Sequence, residues 1–309
     1  MNPSGTRDTP IFSGSITALP TPFRDDSRRS IDYPALLGLI ERQVGAGTDG
    51  LVVGGSTGEG SALSFDERVA LFEYSAGAVR GRIPVIAGIG TSDTRIAVEL
   101  ASGAASAGVD ALLATTPSYA RPSQEGLVAH FAEVASATPL PIALYNIPSR
   151  TGVDLQPETV ARIAREHPNV VAIKEASDSL ERLRILIETT PVAVLCGEDR
   201  WIADALELGA AGVVGVASNL VPARIANLVA LFGLGRRGAE PDPSKAPALM
   251  ESVAPLVRAL TLETNPTPLK SALAHLGLLE EVVRLPLVPV EASHRSRIRD
   301  VLEAVGVRA

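Results

Sequence analysis

Lysine is scarce in this chain: of 28 basic residues in 309, only Lys174, Lys245 and Lys270 are lysines and the rest are arginines. Cysteine is scarcer still. The single Cys196 rules out an internal disulfide and fits a reducing compartment. Aromatic residues make up 4%, and the net charge is −7 with no dense Lys/Arg stripe, which gives no support to nucleic-acid binding. No apolar run approaches the ~18 residues that a membrane span needs. The polar start, residues 1–13, lacks the apolar core of a signal peptide. None of His130, His167, His275 and His294 falls at the end of a predicted strand, and no His/Cys/Asp/Glu spacing matches a metal site. With 46% hydrophobic and 20% charged residues, the expectation is a soluble, cytoplasmic globular protein without a metal.

What is present is repetition. Short β-rich apolar runs at 15–19, 50–53, 84–87, 111–114, 142–145, 170–174, 192–195 and 212–216 read as strands. Between them, stretches of helical period cover 33–46, 66–80, 94–107, 124–136, 157–165, 179–188, 199–208 and 222–232. Ser64 followed by Glu67 spells a capping box, and Pro157 suits a first helical turn. The steps average roughly 27 residues, one βα unit each, and eight of them predict an α/β fold of the (β/α)₈ TIM barrel type. An open doubly wound sheet is the alternative, but it normally has fewer strands and a Gly-rich turn after the first. Gly233–Pro243 reads as a break, after which 244–262, 267–279 and 293–305 look helical. The expected organisation is a flexible tail over 1–13, a barrel catalytic domain over 14–235 and a C-terminal helical region over 236–309.

A barrel places its chemistry at the carboxyl ends of its strands. Lys174 ends the run Val170-Val171-Ala172-Ile173, read as a buried parallel strand. A desolvated lysine can give up its proton, which arginine cannot do. The plain alternative is a lysine that caps the strand and reaches solvent. Gly54-Gly55-Ser56-Thr57-Gly58-Glu59-Gly60 follows the second strand, and its amides and hydroxyls suit a carboxylate or phosphate. It lacks the lysine of a nucleotide P-loop and could also be only a tight turn with a cap. Tyr145 ends the fifth strand with Arg150 on its loop, and Tyr119 follows the fourth. Glu59 and Glu175 read as structural hydrogen-bond partners, and Cys196 as packing. An amine, two phenols, two hydroxyls and an arginine on one face, without metal or cofactor, suit an imine with a carbonyl substrate. A keto-acid sensor and a phosphate-binding sugar isomerase are readings from other classes. The acidic Gly197-Glu198-Asp199 and the sparse Ala217-Ser218-Asn219 ill suit a phosphate loop.

The segments GGSTGEG, TPSYARPSQEG, LYNIPSRTG, VVAIKEAS and TNPTPLKSAL stand in that order between about residues 14 and 279. Together they resemble the dihydrodipicolinate synthase / N-acetylneuraminate lyase family of pyruvate-dependent class I aldolases. The resemblance implies a (β/α)₈ barrel with C-terminal helices, commonly a homotetramer built from two tight dimers. It implies that Lys174 forms a covalent imine with pyruvate, without an external cofactor, and that Tyr145 shuttles protons. Ser56 and Thr57 surround the pyruvate carboxylate, and Ser56 links the tyrosines in a relay. Tyr119 crosses the tight interface into the neighbouring site, while Gly197 and Val214 line the pocket near the lysine.

Within the family, Ser149-Arg150-Thr151-Gly152 resembles the synthases, in which this arginine clamps the carboxylate of aspartate semialdehyde. Asn265-Pro266-Thr267-Pro268-Leu269-Lys270 leans the same way. Ser56, Ser118 and Ala120 depart from the usual synthase spelling. The expected reaction is therefore condensation of pyruvate with aspartate semialdehyde to 4-hydroxy-tetrahydrodipicolinate, in lysine and diaminopimelate biosynthesis. The alternative is a related lyase acting on N-acetylneuraminate or a 2-keto-3-deoxy sugar acid. At the positions that bind inhibitory lysine in feedback-regulated synthases stand Phe65, Arg68, Ser118, Ser92 and Ile96. A cationic effector would meet an arginine there and lose its glutamate, so insensitivity to lysine is expected.

Overall fold

A computed structural model describes residues 10–235 and 240–308. Eight parallel strands, each paired with the next and β8 with β1, close into a barrel. They are β1 (Gly14–Ala18), β2 (Gly50–Val53), β3 (Val85–Gly88), β4 (Ala111–Thr115), β5 (Ile142–Asn146), β6 (Val170–Glu175), β7 (Ala193–Cys196) and β8 (Gly212–Gly215). Around it run α1 (Tyr33–Gly45), α2 (Phe65–Val79), α3 (Thr94–Ser106), α4 (Gln124–Ser136), the single-turn α5 (Pro148–Thr151), α6 (Pro157–Glu166), α7 (Leu180–Thr189), α8 (Ile202–Glu207) and α9 (Pro222–Ala230). The C-terminal helices are α10 (Ala246–Ala259), α11 (Thr267–His275) and α12 (Ala292–Ala304). The predicted barrel is the observed one.

Strand periodicity explains the two cores. In β4, Ala111 and Leu113 face the barrel interior, and Leu112 and Ala114 face the helices. The interior cluster also holds Ile16, Val52, Ile86, Ala143, Tyr145, Ala172, Leu195 and Val214. Alanine on β4, β5 and β6 leaves room for the long side chains at the strand ends. Helices pack by one face: α1 buries Leu36, Leu39, Ile40 and Gln43, a spacing of three and four. Gln43 is tolerated in the core because it accepts from the Thr17 and Thr48 hydroxyls and donates to the Ser218 carbonyl. The Ser64–Glu67 capping box forms as expected, and Pro157 opens α6.

Local differences have local causes. Val171, read as buried, is 39% exposed, beside a register shift in the β5–β6 ladder at Ile142/Ala143. The stretch 199–208 begins as a 3₁₀ turn, Asp199–Trp201, before α8. The helical turn α5, not anticipated from the sequence, starts on Pro148 and stops at Gly152, whose φ of 73° is left-handed. Within the expected N-terminal tail, Phe12 is buried and joins the interior cluster; residues 1–9 lie outside those described. Among the described residues no helix is long and apolar enough to cross a membrane. α10 packs on α8, α9 and α12, and α11 on α12. The segment between α10 and α12 thereby reaches the mouth of the barrel, as the contacts of Asn265 and Arg284 show.

Candidate active site

Lys174 and Tyr145 are neighbours by strand register: β5 and β6 pair Tyr145 with Lys174 and Asn146 with Glu175. Lys174 is only 6% exposed, with its Nζ 4.4 Å from the centre of the Tyr145 ring. The sequence offered strand-end placement or solvent exposure for this amine; it is buried. Gly197, at the end of β7, makes the space. A Cβ there would stand 2.9 Å from Lys174 Cε and 2.8 Å from the Ala176 Cβ. Val214, 1% exposed on β8, belongs to the same interior cluster as Tyr145.

Two acids, Glu198 and Asp199, stand near enough to feel the charge of Lys174. Burial raises the Glu198 carboxyl above the usual range, and the charge of Lys174 pulls it back. Asp199 is likewise raised by burial, while its oxygens accept the amides of Val216 and Ala217. Neither acid was assigned a role from the sequence, because their spacing matches no metal or acid–base motif. Cys196 is buried and its thiol is pushed up to about 12, chiefly by burial, in keeping with a packing role. Glu175 is held as a structural partner should be: it accepts from Asn146 Nδ2, the Ser177 amide and Arg182 Nε.

A cavity of about 750 Å³ lies at the carboxyl ends of β2 to β5, lined by Ser56, Thr116, Arg150 and Asn265 among others. Lys174, Tyr145, Thr57, Gly197 and Val214 do not form its walls; all but the half-buried Gly197 are buried. Thr57 is 4% exposed, and its Oγ1 accepts from Asn265 Nδ2 at 2.9 Å. With a lone pair so occupied, the Thr57 hydroxyl proton is free to point elsewhere. The carbonyl of Asn265 accepts from Arg150 Nη2 at 3.0 Å. One residue thus joins the glycine loop to the rim arginine, a link that no local signal in the sequence revealed. No hydrogen bond joins the Ser56 and Tyr145 hydroxyls in this structure. Tyr119 stands on the rim with φ 71° and is 94% exposed; its phenol lies in solvent, away from Tyr145. The five positions matched to an effector site, Phe65, Arg68, Ser92, Ile96 and Ser118, all line the same cavity. Among the described residues no group of three or more His, Cys, Asp or Glu comes together as a metal site would.

Many known proteins are similar to this chain in sequence or in fold. A 4-hydroxy-tetrahydrodipicolinate synthase of Syntrophus aciditrophicus is 44% identical over 299 residues, covering 96% of this chain and 99% of its own. The dihydrodipicolinate synthase of Aquifex aeolicus superposes with a TM-score of 0.91 at 37% identity, covering 96% of this chain and 99% of its own. The 4-hydroxy-tetrahydrodipicolinate synthase of Methylacidiphilum fumariolicum gives 0.90 at 40% identity, covering 95% and 96%. The model of the dihydrodipicolinate synthetase family matches residues 11–305, and the chain belongs to that family.

Proposed function

We propose that this chain is an imine-forming lyase that condenses pyruvate with aspartate semialdehyde to give 4-hydroxy-tetrahydrodipicolinate. The observation that carries the chemistry is Lys174, an amine 6% exposed at a strand end beside the Tyr145 ring. Its Nζ attacks the pyruvate carbonyl, and loss of water leaves an iminium, with no external cofactor. The iminium draws electrons from the methyl group, which loses a proton to become an enamine. Tyr145, whose ring lies beside the amine, carries that proton. The enamine carbon bonds to the aldehyde carbon, whose oxygen takes up a proton. The substrate's own amine then displaces Lys174 from the imine carbon, closing the ring and freeing the enzyme. Ser56 and Thr57 hold the pyruvate carboxylate. Gly197 and Val214 shape the pocket, and Tyr119 reaches a neighbouring protomer's site in a cytoplasmic tetramer made of two dimers. The solvent-exposed phenol of Tyr119 fits a role completed by a second copy.

Arg150 selects the second substrate. It lines the cavity, and a guanidinium matches a carboxylate with two parallel hydrogen bonds. This favours an acidic aldehyde over a sugar tail, as do the names of the relatives. Steady-state condensation of pyruvate with aspartate semialdehyde tests the reading. Native protein is expected to turn over with kcat/KM of at least ~10⁴ M⁻¹s⁻¹. Arg150→Ala is expected to lose about 10²-fold for the aldehyde with the KM for pyruvate unchanged. Absence of condensation, with pyruvate still trapped by borohydride on Lys174, would transfer the assignment to a 2-keto-3-deoxy sugar acid or N-acetylneuraminate.

A further inference from the structure

Of the three lysines, two are buried, and only Lys174 is used by the proposed reaction. The other is Lys270 on α11, 0% exposed. Its Nζ lies 2.5 Å from Glu59 Oε1, donates to the Val282 carbonyl at 2.8 Å, and stands 4.0 Å from the centre of the Phe23 ring. The second carboxylate oxygen of Glu59 accepts the Arg284 amide at 2.9 Å. A fully desolvated ion pair adds little net stability over an apolar replacement, so its presence calls for another role.

Glu59 belongs to the glycine loop that presents Ser56 and Thr57. Its backbone is left-handed, with φ 52°, a conformation costing a non-glycine residue roughly 1–2 kcal/mol. Its amide donates to the Ser56 carbonyl at 3.2 Å and closes a tight turn over Ser56-Thr57-Gly58-Glu59. Behind it, the Gly60 amide donates to the Gly55 carbonyl at 3.0 Å, and the Thr21 hydroxyl to the Gly58 carbonyl at 2.6 Å. The side chain that fixes the strained end of the turn is the one Lys270 grips.

We propose that the Lys270–Glu59 pair is a positioning device that locks the Ser56–Thr57 turn in the geometry that binds the carboxylate of the keto-acid substrate. This rests on the reading of that turn as the carboxylate cradle. Lys270 is not among the cavity walls, and Glu59, which is, is only 3% exposed, so loss of the pair weakens binding of the keto acid without removing the imine-forming amine.

The test titrates pyruvate against the full-length enzyme with borohydride trapping, read by mass spectrometry, for the native protein, Glu59→Gln and Lys270→Met. Both variants are expected to raise the half-saturating pyruvate concentration by about tenfold or more. Labelling should still reach the native plateau at Lys174. Folded variants with the native midpoint would overturn the proposal, as would a lost plateau at an unchanged midpoint. Should Lys270→Met not fold, the isosteric Glu59→Gln decides alone. A native enzyme that is never trapped would instead sink the imine reading. The positioning role is then decided by calorimetric titration of pyruvate, through the presence or absence of the same shift.

Discussion

Lys174 shows why residue type matters more than charge at a strand end. Lys174→Arg keeps a cation beside Tyr145 but removes an amine able to lose its proton. It is expected to abolish borohydride trapping and to cut kcat/KM by about 10⁴-fold or more. A variant that is still trapped by pyruvate would place the imine elsewhere. Cys196 illustrates the opposite case, a nucleophile type made inert by its surroundings. With the thiol 2% exposed and pushed up to about 12, the native protein is expected to resist Ellman's reagent at pH 8 and to react once denatured. Fast labelling of the folded enzyme would contradict that placement.

At the scale of elements, the α3–α4 contact carries a pH dependence. His130 of α4 is 6% exposed, bonded to the Thr94 hydroxyl at 2.9 Å and stacked edge-on with Phe131. Burial lowers it to about 4 from an ordinary value of 6.5. Between those values the unfolded chain holds a proton that the folded chain does not, so stability rises with pH across that window and is lost as pH falls through it. The loss amounts to about 3 kcal/mol at most. Denaturant unfolding at pH 7 and pH 4.5 measures it, and His130→Gln is expected to remove this part of the slope. An unchanged slope in that variant would assign the acid sensitivity to other groups.

For the whole molecule, a cavity shared by Ser56 and Arg68 bears on regulation. Arg68 is 5% exposed, its guanidinium donates to the Gly88 and Gly90 carbonyls, and burial lowers it to about 10. Among the described residues no carboxylate stands within ion-pair range of it. An ammonium-bearing effector entering this end would meet an uncompensated positive charge. Free lysine at millimolar concentration is expected to leave the condensation rate unchanged, and clear inhibition of active enzyme would refute this.

The eight-step alternation of apolar strand and amphipathic helix was legible in the sequence because burial imposes its period on every strand and helix. The residues at strand ends were legible for the same reason: Lys174, Tyr145, Ser56 and Thr57 follow apolar runs whose ends the pattern fixes. Val171 and the turn α5 escaped that logic, since a register shift and a single turn leave no periodic trace. Only the tertiary structure decided how the C-terminal segment closes the site. Asn265 lies 208 residues from Thr57 and Lys270 lies far along the chain from Glu59, yet each pair is in contact. Such contacts depend on where the C-terminal helices dock against the closed barrel, and no local propensity encodes that.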